Sequence, residues 1–234
     1  MRTEYIFFDL DDTLFDFHAA EHRAISLTLA HFGMTPDEEM CALYSACNLR
    51  QWKRLERGET TRECIKIDRF ADFFGKLGLA VAPTEAAAFY EEKLSQGCYF
   101  LPYAETLLKE LYGRYKLYIV TNGLVRVQKG RLADSGIEPY FEHIFISELV
   151  GADKPSCAFF EACFARIPHF DREKAVLVGD SLTSDICGGN RAGLFTIWFN
   201  AKKAPFPTDK EQIPDRVITQ LSELPPLLTS LSTI

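Results

Sequence analysis

Four apolar residues, Tyr5-Ile6-Phe7-Phe8, run straight into Asp9-Leu10-Asp11-Asp12-Thr13. An unbroken apolar run of this length reads as a strand buried on both faces. Such a strand should end in an ordinary turn, yet three carboxylates and a hydroxyl follow within five residues. Two carboxylates about 4 Å apart repel by roughly 4 kcal/mol at an effective dielectric of 20. A fold tolerates that where a cation sits among the acids or where the acids do chemistry. In an open α/β sheet the carboxyl ends of the strands are where ligands bind. An acidic turn capping a following helix is the other reading, since Asp and Thr are good N-caps.

Three later segments bear on the choice. Tyr118-Ile119-Val120 is a second apolar strand, ending in Thr121-Asn122-Gly123. Gly151-Ala152-Asp153-Lys154-Pro155 places one Lys before a Pro, in a loop leading to a helix. Ala175-Val176-Leu177-Val178 is a third buried strand, ending in Gly179-Asp180-Ser181, with Asp185 beyond it. Acid pair, Thr, Lys and acid pair, in that order, resemble the four motifs of the haloacid dehalogenase superfamily of phosphohydrolases. The resemblance covers Met1 to Phe15 and the chain from about Pro102 onward. Singly, Thr121-Asn122-Gly123 reads equally as a turn with a helix cap, Lys154 as a surface lysine, and Asp185 as the cap of a helix starting at Ser184.

The rest of the chain organises around these strand ends. After Thr13 the pattern turns helical: Ala20, Ala24, Leu27 and the Ile25/Leu29 pair set an apolar face over residues 17–32, and Gly33 stops it. Helical patterns continue over 40–57, 61–77 and 84–96, with Gly58, Gly78 and Gly97 as breaks. From Pro102 helices and strands alternate: helices over 104–112, 124–134, 156–165, 184–192 and 221–231, and strands over 117–120, 143–146, 175–178, 195–199 and 217–218. The expected fold is α/β: a doubly wound, mostly parallel sheet with an all-helical insert after the first strand. The expected domains are a catalytic core of 1–15 and 102–234 and a helical cap of 16–101, with hinges at 14–17 and 97–103.

Composition limits the partners. The 234 residues carry a formal charge of -7 and are 47% apolar. That balance argues against nonspecific binding to a nucleic-acid polymer or an anionic membrane. No apolar stretch approaches the ~20 residues of a membrane span. Acids at Glu4 and Asp9 do not suit a signal peptide. Seven cysteines without a C-x-x-C spacing read as free thiols. A cytoplasmic enzyme acting on a small molecule is the expectation.

The resemblance implies hydrolysis of a small phosphate monoester, with Asp9 as the nucleophile that forms an aspartyl-phosphate. Asp11 is implied as the general acid/base that protonates the leaving oxygen and later deprotonates water. Dehalogenases and phosphonatases of the superfamily lack an Asp at that position. Thr121, Asn122 and Lys154 are implied to hold the phosphoryl oxygens. The acid cluster suits Mg²⁺, a hard cation that takes one or two carboxylates, waters and substrate phosphate. The implied ligands are the carboxylates of Asp9 and Asp180 and the backbone carbonyl of Asp11, with Asp185 either ligating or standing behind them. Four aspartates give a charge of -4 against +3 from Mg²⁺ and Lys154, a balance a dianionic substrate can tolerate. His18 and His22 have the spacing of a helical metal pair, but no third ligand lies near them in sequence, and a solvated helix face is the simpler reading.

The insert matches the C1 type of cap, which in this superfamily closes over the core site and chooses the leaving group. Several stretches look like the house-cleaning pyrimidine 5'-nucleotidase branch: Thr121-Asn122-Gly123 through Gln128 and Arg131-Leu132 to Lys154-Pro155, Trp198-Phe199-Asn200-Ala201, Ile213-Pro214-Asp215, and Arg57-Gly58-Glu59-Thr60-Thr61-Arg62-Glu63 in the insert. Many relatives outside that branch have Gly at the position of Asp12. The implied substrates are pyrimidine monophosphates such as dUMP, UMP and dTMP. A nucleobase needs an apolar wall and a few donors; Phe15, Phe17, His18, Trp52 and Arg62 are candidates, and cap packing explains most of them equally. The alternatives are a sugar-phosphate or acyl-neuraminate-type phosphatase, a phosphomutase, and an idle binding domain of the same fold.

Overall fold

The computed structural model describes residues 2–231. In chain order its main elements are β1 (Tyr5–Phe8), α1 (Phe17–His31), α2 (Glu38–Glu56), α3 (Arg62–Leu77), α4 (Pro83–Ser95), α5 (Ala104–Leu111), β2 (Lys116–Thr121), α6 (Val125–Ser135), β3 (His143–Ile146) and α7 (Ser147–Val150). They continue with α8 (Cys157–Phe164), β4 (Ala175–Gly179), α9 (Cys187–Arg191), β5 (Phe195–Phe199), β6 (Arg216–Ile218) and α10 (Leu224–Leu231). The described chain divides into a sheet unit (2–16, 99–125, 135–231) and a helical unit (17–98, 126–134). The division shifts the expected boundaries by one residue at 16 and three at 99–101, and departs further at one place: residues 126–134 of α6 group with the helices, not with the sheet. There Arg131 Nε donates to Gly97 O at 3.0 Å. A Cβ on Gly130 would lie 2.6 Å from Ser95 O, so only glycine permits that approach.

The sheet unit is a six-stranded sheet in the order β3-β2-β1-β4-β5-β6, every pair parallel. β1 is central, with Phe8 opposite Ile119 of β2 and Val178 of β4. Its four residues are all buried, as an apolar run covered on both faces requires. One face carries an aromatic core, where Phe7 stacks on Tyr118 at 5.0 Å and Phe164 of α8 stacks on Phe170 at 4.4 Å.

In the helical unit α2 and α3 have conventional punctuation. Asp37 caps α2 by accepting from Met40 N–H, Thr61 caps α3 by accepting from Cys64 N–H, and Gly78 ends α3 at φ +65°. The apolar face of α1 is the expected one at Ala20, Ala24, Ile25 and Leu29 and departs at one position. Leu27 is 38% exposed, and Thr28 is buried instead, its hydroxyl satisfied by Ala24 O at 2.8 Å. The helix expected over 184–192 is a π turn, Leu182–Ile186, followed by the short α9. The last helix starts with a 3-10 turn at Leu221–Glu223. No helix among the described residues is long and apolar enough to cross a membrane, and all seven cysteines are free.

Candidate active site

Strand order brings the charged letters together. β1 lies between β2 and β4, so residues that follow these three strands meet at one edge of the sheet. The chain runs outward from β1 on one side and from β4 on the other, and in such sheets the crevice for ligands opens where the order reverses. Asp9 leaves β1 there, Thr121 ends β2 and Asp180 follows β4.

Lys154 is the hub. Its side chain is 1% exposed, and its ammonium donates to Asp9 Oδ1 at 2.6 Å, Asp185 Oδ1 at 2.6 Å and Val120 O at 2.8 Å. Three donors meet three acceptors, which a buried ammonium needs. Burial alone would pull its pKa down, but Asp185 and Asp9 outweigh that and hold it above the ordinary lysine value. For Asp9 burial is the largest influence and raises the pKa; Lys154 opposes it, Asp185 and Asp11 add to it, and the carboxyl is pushed up to about 7. Asp180 is also raised, first by burial, then by Asp9, Asp185 and Asp12, with Lys202 pulling the other way. Carboxylates held this close and this dry lack positive charge.

Asn122 is placed differently from the expectation that it meets phosphate. Its Oδ1 accepts from Lys154 N–H at 2.9 Å and its Nδ2 donates to Lys154 O at 2.8 Å. This two-point clamp fixes the backbone that delivers the ammonium. Thr121 is buried at the end of β2.

The end of β4 depends on residues whose roles the sequence does not announce. Thr13 Oγ1 donates to Asp9 Oδ2 at 3.3 Å and accepts from Asp180 N–H at 3.1 Å, joining the two acidic strand ends. Trp198 of β5 donates its indole N–H to Asp180 O at 2.8 Å. A Cβ on Gly179 would overlap the Asp185 side chain, 2.5 Å from Oδ2, so the position admits only glycine. The N-cap of the following turn is Ser181, whose side chain accepts from Ser184 N–H. That corrects the reading of Asp185 as the cap of a helix starting at Ser184. Within the π turn Asp185 instead accepts from Ser181 N–H at 3.0 Å and from Lys154. Single π turns recur at functional sites because the extra residue re-aims a side chain. Thr13, Gly179, Asp180, Ser181 and Asp185 carried a signal as members of the strand-end motifs, and Trp198 as part of a stretch that resembles the nucleotidase branch, but none of them announced these bonds.

After Asp9 the chain makes a tight loop, with Leu14 and Phe15 N–H donating to Leu10 O and Asp12 N–H to Phe15 O. Asp11 sits in this loop, partly exposed, two residues beyond Asp9. Phe15, a candidate wall for a base, is fully buried with its ring 5.2 Å from Phe100, so it packs the loop instead.

Asp9, Asp180 and Asp185 each offer a carboxylate oxygen, all within 4.8 Å of one another. Three hard, anionic oxygens with a single lysine among them fit a divalent cation such as Mg²⁺. In the helical unit His22 pairs with Glu38 at 3.3 Å and His18 is exposed; among the described residues neither joins a metal-type cluster. Phe17 opens α1, with the Arg131 guanidinium 5.9 Å from its ring. Arg62 opens α3, its guanidinium 6.0 Å from the Trp52 ring.

A family model described as haloacid dehalogenase-like hydrolase matches residues 6–199. Pyrimidine 5'-nucleotidase PynA of Streptococcus pneumoniae is 39% identical over 86% of this chain and 85% of its own. Pyrimidine 5'-nucleotidase YjjG of Escherichia coli is 32% identical over 97% of this chain and 99% of its own. Among solved structures, HAD-hydrolase YfnB of Bacillus subtilis, bound to magnesium and showing interdomain movement, superposes with a TM-score of 0.92 at 37% identity, covering 97% of this chain and 99% of that one.

Proposed function

The chain belongs to the haloacid dehalogenase-like hydrolase family, and from that premise we propose a Mg²⁺-dependent hydrolase of nucleoside 5'-monophosphates, with pyrimidine nucleotides such as dUMP, UMP and dTMP preferred. That it is a phosphoric monoester hydrolase follows from the family and from its nucleotidase relatives. The observation that carries the mechanism is the cluster of Asp9, Asp185 and the half-buried Asp180, with Lys154 paired to the first two and Asp11 two residues beyond Asp9.

In this reading an Asp9 oxygen attacks phosphorus, the ester P–O bond breaks, and Asp11 gives its proton to the leaving oxygen. Asp11 then takes a proton from the water that cleaves the aspartyl-phosphate and returns Asp9. Lys154 has two tasks. It opposes the burial that protonates Asp9, and it fixes the carboxylate's direction through the 2.6 Å bond. Thr121 and the Asn122-clamped Lys154 backbone present the phosphate-binding side of the site. Asp9 and Asp180, the Asp11 carbonyl and Asp185 are the groups that would hold Mg²⁺, which supplies the positive charge a dianion needs to approach carboxylates.

The helical unit is proposed as the cap that selects the leaving group, with Phe17, His18, Trp52 and Arg62 as its candidate contacts. Phosphate release is to be measured with Mg²⁺ from dUMP, UMP, dTMP, purine monophosphates, sugar phosphates and phosphoglycolate. Preference for pyrimidine monophosphates supports the nucleotidase reading. Preference for sugar phosphates keeps the mechanism and overturns the substrate, leaving the sugar-phosphate or acyl-neuraminate-type alternative. Release from none of them overturns the hydrolase mechanism as drawn.

A further inference from the structure

An ion pair joins the loop after β1 to the loop after β5, and the mechanism above gives it no task. Asp12 stands at φ +58°, the left-handed region that glycine enters without strain and Asp tolerates. Its carboxylate Oδ2 receives Lys202 Nζ at 3.3 Å. The lysine side chain is 67% exposed, but its loop is fixed from within. Asn200 donates its N–H to Ile218 O at 2.8 Å, accepts Ala204 N–H on Oδ1 at 2.8 Å and donates from Nδ2 to Ala204 O at 2.9 Å. β4 lies between β1 and β5 in the sheet, so a pair linking the loops of β1 and β5 spans the carboxyl end of β4. Beneath it Asp12, Asp180, Trp198 and Lys202 share the walls of a pocket of about 80 Å³. The charges of Asp12 and Lys202 therefore act on the Asp180 side of the acid cluster, at short range and with opposite sign.

We infer that Lys202 is a positioning residue for metal and phosphate: by neutralising Asp12 it sets the charge that both meet at the Asp180 side of the site. The inference rests on the Mg²⁺-phosphatase reading and goes beyond it. The cluster already holds more acids than cations. Without Lys202 the negative charge of Asp12 is opposed by one cation fewer, which attracts a divalent cation and repels a phosphate dianion. Removing Lys202 thus moves the two affinities in opposite directions. A purely structural role for the pair, holding two loops, moves both in the same direction.

The test is calorimetric titration of the full chain with Mg²⁺, then with inorganic phosphate at saturating Mg²⁺, for Lys202→Met, Asp12→Asn, Asp12→Gly and Asp12→Asn/Lys202→Met. Lys202→Met is expected to bind Mg²⁺ about threefold tighter and phosphate about threefold weaker, the scale of an exposed ion pair. Asp12→Asn reverses both signs, and Asp12→Gly, which also relaxes the backbone, agrees with it. The double variant, having lost one charge of each sign, returns close to the parent. Both affinities falling together in Lys202→Met, or neither moving, overturns the inference while leaving the phosphatase reading intact. A parent chain that binds no Mg²⁺ overturns the metal reading and this inference with it.

Discussion

Lys154 in the sheet unit and Arg69 in the helical unit are both buried cations with carboxylate partners, their side chains 1% and 3% exposed. Their surroundings differ. Arg69, on α3, donates to Asn48 Oδ1 of α2 and Glu91 Oε1 of α4, each at 3.2 Å, and Asn48 Nδ2 donates to Glu21 Oε1 of α1 at 2.7 Å. Each of the four helices contributes one group, and the guanidinium also lies 4.8 Å from the Tyr90 ring. The chain of bonds starts and ends inside the helical unit and ties its helices in one register. Lys154 is itself fully bonded, yet Asp9, Asp180 and Asp185 outnumber it, and they lie at or just beyond the carboxyl ends of β1 and β4. A buried pair is weak evidence for net stability, but removing one partner is costly. The bonding of Arg69 closes within the helical unit, whereas the Lys154 cluster is left with an excess of carboxylates, which is what the proposed chemistry uses.

The largest effect expected is on turnover. Asp9→Asn lowers phosphate release by at least about 10³-fold, as loss of a nucleophile does, while circular dichroism and melting temperature stay at or above those of the parent because repulsion is relieved. Turnover near the parent's removes Asp9 as the nucleophile. Asp11→Asn slows turnover by about 10²–10⁴-fold, the range of a general acid/base, and acid quenching then traps phosphate on the protein. Parent-like rates with no trapped phosphate would break that assignment.

Arg69→Met probes the other side of the contrast. It leaves Glu91 and Asn48 without their buried partner, at a cost of about 3–5 kcal/mol, seen as a lower melting temperature. Turnover of a small phosphate ester, normalised to folded protein, stays within about twofold. A collapse of turnover with unchanged melting would place the Arg69 network in the site and erase the distinction. Mg²⁺ at a hundred times its dissociation constant should stabilise the chain by about 2.7 kcal/mol, and EDTA should reverse the shift. In Asp180→Asn that stabilisation shrinks, whereas in Arg69→Met it persists. The same gain in both variants would remove Asp180 from the metal ligands.

The strand ends were legible in the sequence because apolar runs give away buried strands, and acids close two of them, in order with a Thr and a Lys, which a single helix cap does not explain. Asp9 and Asp180 stand where those runs place them, and Lys154 and Asp185 join them from a loop and a turn. What joins them was not legible, since it depends on side-chain direction between distant positions. Thr13 bonds Asp180 across 167 residues, and the Trp198 indole reaches back from β5. Asp185 is aimed by a π turn that periodicity reads as an ordinary helix. In α1 the apolar count favoured Leu27, but Thr28 is the residue that can be buried, since its hydroxyl bonds one turn back. Residues 126–134 alternate with strands and so read as part of the sheet unit. Their membership in the helical unit shows in contacts such as the bond from Arg131 to Gly97 and the closeness of Gly130 to Ser95.

The smallest effect sharpens the contrast within the helical network itself. Glu21 has a raised pKa, first because it is buried, against the opposing influence of Ser45, Asn48, His18 and Arg69. A carboxyl with a higher pKa folded than unfolded binds more protons in the folded state. Its contribution to stability is therefore complete below the unfolded value near 4.5 and is lost as pH rises through the folded value. Asp9 and Asp180 act in the same direction, so the parent curve alone does not isolate Glu21. The difference between parent and Glu21→Gln does, because glutamine keeps an acceptor for Asn48 and removes the titration. Urea midpoints measured from pH 4.5 upward should fall less steeply in Glu21→Gln, with the two proteins within about 1 kcal/mol of each other. Parallel curves would mean that folding does not raise the pKa of Glu21, which would then be ionised well above pH 4.5. The helical network would then carry two full negative charges against Arg69, an imbalance closer to that of the Lys154 cluster than its bonding suggests.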